Sequence, residues 1–123
     1  KPETDDVREA PALVMVEALL KEGATVVAYD PKARHQAERE LGSHENMTYS
    51  DQYYDAVEGC DALIVATEWS FFRNVDMTRI KDAMAAPVVF DGRNVYSLAH
   101  METMGFDYFS IGRDPILAYS SGL

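Results

Sequence analysis

The residue of this sequence best placed to do chemistry is the arginine in Phe90-Asp91-Gly92-Arg93-Asn94. It follows an apolar run, Val88–Phe90, almost directly. Gly92 before it permits a tight turn or the close approach of another group. A planar guanidinium there suits two-point contact with phosphate or hydroxyl oxygens, and Asp91 stands beside it to orient it. An Asp–Arg pair in an ordinary turn accounts for the same residues equally well. The opening segment, Lys1 through Arg8 to Pro11, is polar, holds two cations and leads into a helix. The N–H groups and partial positive charge of a helix N-terminus attract anions, so Lys1 or Arg8 could help hold a phosphate there. On residue types alone, a solvated first turn is the commoner use of such a segment. A third group, Thr67-Glu68-Trp69 with Phe71 and Phe72, follows the run Ala62–Ala66. Its aromatics could wall a base or sugar, although packing is their commoner use. Glu68 fits either a cleft or a cap.

Other reactive types lead to exclusions. Cys60 lies in Gly59-Cys60-Asp61 with no cation beside it in sequence, so it reads as a small, partly buried thiol and not a nucleophile. No residue of the chain is assigned a catalytic role. His35, His44 and His100 are scattered without zinc-ligand spacing, so no metal is expected. Asp30 ends the run Thr25–Tyr29, where a dinucleotide domain places its ribose-binding acid. That role needs a glycine-rich turn about 20 residues upstream. The chain has Ala10-Pro11 there and no GxGxxG anywhere, which excludes a self-contained NAD site. The charged stretch Lys32–Glu40 reads as a solvated helix face.

These residues need a scaffold, and the punctuation of the sequence describes one. Pro11 opens a helix that carries Leu13, Val16, Leu19 and Leu20 at helical spacing and stops at Gly23. Strands are expected over Thr25–Tyr29, Met47–Tyr49, Ala62–Ala66, Val88–Phe90 and Tyr108–Ile111. The runs at Ala62 and Val88 are continuous enough to be covered on both faces. Further helices are expected over Ala33–Leu41, from Ser50 or Asp51 to Val57, over Asp76–Met84 and over Leu98–Met104. From Pro115 to Leu123 there is no clear period. This alternation predicts an α/β domain of Rossmann-like, three-layer form with a mainly parallel sheet. Ligands of such sheets lie beyond the carboxyl ends of the strands, where Arg93 falls.

The chain has 123 residues, one domain's worth, with 11 basic against 21 acidic side chains and a formal charge of −10. Nucleic acid and anionic membranes both want a basic face, so neither is an expected partner. No apolar run approaches the roughly 18 residues of a membrane span. A single cysteine fits a reducing cytoplasm.

Five stretches in order complete the reading: KPETDDVREAP, EALLKEGATVVAYDP, GCDALIVATEW, VVFDGRNVY and MGFDYFSIGR. Together they resemble the C-terminal domain of the UDP-glucose 6-dehydrogenases, within the wider family of nucleotide-sugar dehydrogenases that act on UDP-glucose, GDP-mannose or UDP-N-acetylmannosamine. The resemblance runs from Lys1 to Arg113, leaving residues 114–123 as a tail. It implies a Rossmann-like UDP-binding domain of an enzyme that oxidises the sugar's C6 alcohol to a carboxylate with two NAD⁺. Such an enzyme also has an N-terminal NAD-binding domain, a central dimer-forming region and an upstream catalytic cysteine. By the same resemblance Lys1 and Arg93 contact the sugar nucleotide, and Arg8 reaches toward the NAD pyrophosphate. Thr4, Asp5 and Asp6 shape the opening loop, while Glu68 and Trp69 match a motif of unassigned role. The family carries a strand running into the position of Lys1, so the first strand of the sheet is expected upstream of this sequence. The expected partners are UDP or UDP-glucose and the other domains of the same enzyme, in a homodimer or larger assembly. The isolated chain is expected to be inactive. The alternatives are a domain of another nucleotide-sugar dehydrogenase and a non-catalytic interaction domain.

Overall fold

The computed structural model describes residues 11–29, 45–66 and 73–121. The expected helix at Ala33–Leu41 and the residues Lys1, Arg8, Asp30, Glu68 and Trp69 lie outside them. The chain divides into two compact units, one ending at Ala56 and the other beginning at Val57.

In the first unit, α1 (Pro11–Lys21) precedes β1 (Val26–Ala28), and β2 (Met47–Tyr49) precedes the single turn α2 (Tyr53–Ala56). The apolar spacing and Gly23 act as expected. Gly23 adopts φ +89 and its N–H bonds Leu20 O, while Ala24 N–H reaches back to Leu19 O. This pair of bonds satisfies carbonyls that a helix end leaves open. β1 and β2 pair in parallel with Val26 opposite Met47. Ser50 Oγ accepts from Gln52 N–H ahead of α2, and Tyr53 meets Tyr29 edge to face at 5.5 Å.

In the second unit, β3 (Leu63–Val65), α3 (Met77–Ala83), β4 (Val88–Asp91), α4 (Leu98–Thr103), β5 (Asp107–Ser110) and β6 (Ile116–Leu117) follow in order. Their strands form one sheet, β3-β4-β5-β6, in which only the last pair is antiparallel. Asp76 caps α3 by accepting from Thr78 and Arg79 N–H, and Ser97 caps α4 by accepting from His100 N–H. At the other end of α4, Gly105 takes φ +82 and Lys81 Nζ donates to Met104 O at 2.8 Å.

Stepping from β3 to β4 to β5 by right-handed crossovers puts both helices on one face of this sheet. That face carries Val89 and Tyr108, opposite each other and fully buried, and the core is completed by Ile80, Met101 and Phe106. The other face differs from the sequence expectation of strands buried on both sides. Phe90 is 43% exposed and stacks on Phe109 at 4.9 Å between centroids. Two neighbouring aromatic rings shield one another there.

β6 is an element the sequence pattern did not show. It pairs with β5, Tyr108 opposite Ile116, and the buried Asp107 carboxylate accepts from Tyr119 and Ser120 N–H, fixing the turn beyond it. Among the described residues no helix is long and apolar enough to cross a membrane.

Candidate functional site

β4 ends at the carboxyl edge of the sheet, and the chain turns there through Gly92, Arg93 and Asn94. Three neighbours hold this turn. On the β3 side, Gly92 N–H donates to Val65 O at 2.9 Å, and a Cβ on Gly92 would stand 3.4 Å from that oxygen. The turn thus lies against the end of β3, at a distance that would also leave room for a Cβ. On the β5 side, Asn94 adopts φ 53, and its side-chain amide makes two bonds. Nδ2 donates to Ile111 O at 3.0 Å, and Oδ1 accepts from Ile111 N–H at 2.9 Å. Asparagine is among the few residues that tolerate a left-handed backbone, and its amide here stands in for a rung of the sheet.

The third brace lies underneath. The Asp91 carboxylate is 1% exposed. Oδ1 accepts from Arg93 N–H at 3.0 Å, while Oδ2 accepts from Val95 N–H at 2.8 Å, from Tyr96 N–H at 3.1 Å and from the Tyr108 hydroxyl at 2.6 Å. A buried charge is tolerable only when it is hydrogen-bonded in this way. Arg113 closes the cluster. Its Nη2 donates to the Tyr108 hydroxyl at 2.8 Å, Nη1 and Nη2 both reach Tyr96 O, and Nε bonds Ser110 Oγ. Burial raises the Tyr108 pKa to about 12, assisted by the bond to Asp91 and its negative charge and opposed by Arg113.

Above these braces the Arg93 side chain is exposed, at the strand ends where the sequence places it. Asp91 orients it through its backbone N–H. The two other cations expected in the site, Lys1 and Arg8, lie outside the described residues. Asn94, Tyr108 and Arg113 were not singled out by sequence reasoning. Arg113 ends the MGFDYFSIGR stretch, and Asn94 adjoins Arg93, but neither residue type signals a strut. Cys60 sits before β3, at the amino edge of the sheet and away from this turn. Burial, with the nearby Asp61 charge, pushes its thiol pKa up, the reverse of what a nucleophile needs.

A turn of this kind can present one guanidinium to an anion from a fixed backbone. Residues 1–98 match the family model for the UDP-glucose/GDP-mannose dehydrogenase family, UDP binding domain. A UDP-glucose 6-dehydrogenase of Pseudomonas aeruginosa is 47% identical over 92% of this chain and 26% of its own length. UDP-glucose 6-dehydrogenase TuaD of Bacillus subtilis is 40% identical over 94% of this chain and 25% of its own. Among solved structures, the NDP-N-acetyl-D-galactosaminuronic acid dehydrogenase of Methanosarcina mazei superposes with a TM-score of 0.73 at 30% identity, over 92% of this chain and 22% of its own. The chain spans about a quarter of the length of the curated relatives it matches. With the mainly parallel α/β architecture, these matches show that the chain belongs to the UDP-glucose/GDP-mannose dehydrogenase family and represents its UDP-binding domain.

Proposed function

We propose that the chain serves as the sugar-nucleotide-holding domain of an NAD-dependent UDP-glucose 6-dehydrogenase, which converts UDP-glucose to UDP-glucuronate. In this reading Arg93 contacts the UDP diphosphate, Lys1 joins it from the opening segment, and Arg8 reaches toward the NAD pyrophosphate. The observation that carries the proposal is the exposed Arg93 on a turn fixed to the ends of β3 and β5. A guanidinium so placed can bridge two phosphate oxygens with little loss of backbone freedom on binding. The dinucleotide is held mainly by another domain, since the chain has no glycine-rich GxGxxG turn. No hydride or thioester step falls to residues of this chain. Its working partners are the N-terminal and central domains of the same enzyme, assembled as a dimer or larger oligomer in the cytoplasm, where Cys60 stays reduced.

Titrating the chain with UDP-glucose while following backbone amide shifts tests this reading. The expected response centres on Gly92, Arg93 and Asn94. Arg93→Ala removes one charge-assisted contact and weakens binding by roughly one to two decades, with the fold intact. A response elsewhere, with none at Arg93, refutes it. Some structural relatives act on N-acetylated sugars: the Methanosarcina mazei enzyme, and a UDP-N-acetyl-mannosamine dehydrogenase of Staphylococcus aureus with a TM-score of 0.63. Parallel titrations with UDP-N-acetylmannosamine and GDP-mannose decide among the sugars, and the UDP-glucose assignment requires that UDP-glucose bind tightest.

A further inference from the structure

We propose that Tyr108 is a positioning residue for the nucleotide site: through Asp91 and Tyr96 it holds the backbone of the turn from which Arg93 meets its anion. The proposal rests on the nucleotide-binding reading of Arg93 and adds to it a residue that touches no ligand.

Tyr108 lies on β5, opposite Val89 and two positions along from Asp91 on the same face, and its ring is fully buried. From there its hydroxyl stands 2.6 Å from Asp91 Oδ2 and 3.0 Å from Tyr96 O. Those two groups belong to the two ends of the turn. Asp91 is its first residue and Tyr96 its last, and the carboxylate also gathers the N–H groups of Arg93, Val95 and Tyr96. One phenol therefore ties the start and finish of a six-residue loop to the middle of the neighbouring strand. The single hydroxyl proton serves one of the two oxygens at a time, and the 2.6 Å separation favours the carboxylate. The Arg113 guanidinium then takes over Tyr96 O through Nη1 and Nη2, and donates to the phenol oxygen. The guanidinium face also lies 5.5 Å from the Tyr108 ring centroid.

A strut whose purpose was fold stability alone would not need to converge on one loop. Here every polar contact of the phenol goes to the Asp91–Tyr96 loop or to the arginine that braces that loop. The loop's exposed product is the Arg93 side chain. Misplacing a charged group by a fraction of an ångström weakens a bidentate contact disproportionately, since both hydrogen bonds need length and direction at once.

Tyr108→Phe tests the role, because it keeps the ring in the core and removes only the hydroxyl. Spectra and UDP titrations of the chain are recorded at a temperature where the variant is folded. The expected result has two parts. In the ligand-free spectrum the amide resonances of Arg93, Val95 and Tyr96 move, while those of α1, β1 and β2 stay in place. UDP binding weakens about tenfold, the order of one hydrogen bond to a charged group. Arg113→Lys, which keeps the charge and loses the planar fork, is the second variant and is expected to show the same pattern more weakly. Unmoved loop amides, or moved amides with unchanged UDP affinity in both variants, overturn the positioning role. Wild-type chain and Arg93→Ala serve as controls: if the wild type ignores UDP, the nucleotide reading fails and takes the proposal with it. If Arg93→Ala loses binding and Tyr108→Phe does not, the proposal alone fails.

Discussion

Replacing Asp91 by asparagine tests the architecture of the turn without altering its size. The carboxylate accepts four hydrogen bonds, one on Oδ1 and three on Oδ2. An amide has one acceptor oxygen. Placing it at the Oδ2 position keeps the three bonds there but makes them neutral, losing about 1 kcal/mol each. Its NH₂ group then faces Arg93 N–H, a donor against a donor, so the fourth bond, worth about 1.5–3 kcal/mol with a charged partner, is lost outright. Against this, a neutral amide is less costly to bury than a carboxylate, which returns a few kcal/mol. The balance is a destabilisation of about 2–3 kcal/mol. For a unit the size of Val57–Leu123 that corresponds to a fall in Tm of about 10 °C or more. Thermal unfolding followed by circular dichroism measures it, with Asp82→Asn, on an exposed position of α3, as the control expected within about 0.5 kcal/mol of the parent chain. If Asp91→Asn melts with the control, the carboxylate is not holding the loop and the reasoning fails.

Two more substitutions probe independent features. Gly105→Ala places a Cβ 2.7 Å from Lys81 Nζ at φ +82, so the ammonium must shift against its bond to Met104 O while the backbone is strained. A loss of about 2 kcal/mol is expected in urea unfolding, against about 1 kcal/mol for Gly59→Ala, where φ is +71 and the Cβ meets nothing within 4 Å. Tyr108 contributes a pH dependence whose sign follows from its raised pKa. Its share of stability is complete below pH 10, the ordinary tyrosine value, and is lost as the pH climbs through about 12. Over that interval the unfolded chain has released a proton that the folded chain retains. Chemical denaturation across this range should show a falling stability that Tyr108→Phe lacks, and equal slopes would contradict the assignment.

What could be read from the sequence, and what could not, divides along physical lines. The apolar runs at Leu63, Val88 and Tyr108 and the stops at Gly23 and Gly105 mark strands and helix ends because they depend on local chemistry. So does the position of Arg93, since a residue just beyond a parallel strand belongs at the carboxyl edge of the sheet. The pairing of Ile116–Leu117 is not local. A two-residue strand has no period, and what fixes it is a carboxylate ten residues away in sequence, Asp107, accepting from Tyr119 and Ser120. In Asp107-Tyr108-Phe109-Ser110 both aromatics suit a strand, and only the register of β5 on β4 turns Tyr108 toward Asp91 and Phe109 toward Phe90. A sequence shows that a tyrosine is present, while the strand pairing decides whether its hydroxyl faces a buried charge or water.

The same register explains why two of the turn's three braces are so unlike. Beneath it, where water is excluded, only a charged acceptor can collect three backbone N–H groups and a phenol at once, and aspartate is short enough to do so from the end of its own strand. At the surface a charge would be redundant, and what the chain needs there is one donor and one acceptor facing the backbone of Ile111. Asparagine supplies both from a left-handed backbone, where aspartate would leave Ile111 O unbonded and most other residues would be strained. Arg93 stands between these two, its own N–H fixed by the first and its successor fixed by the second. Its backbone is therefore placed by Asp91 and Asn94, and its exposed side chain extends from a turn held on both sides.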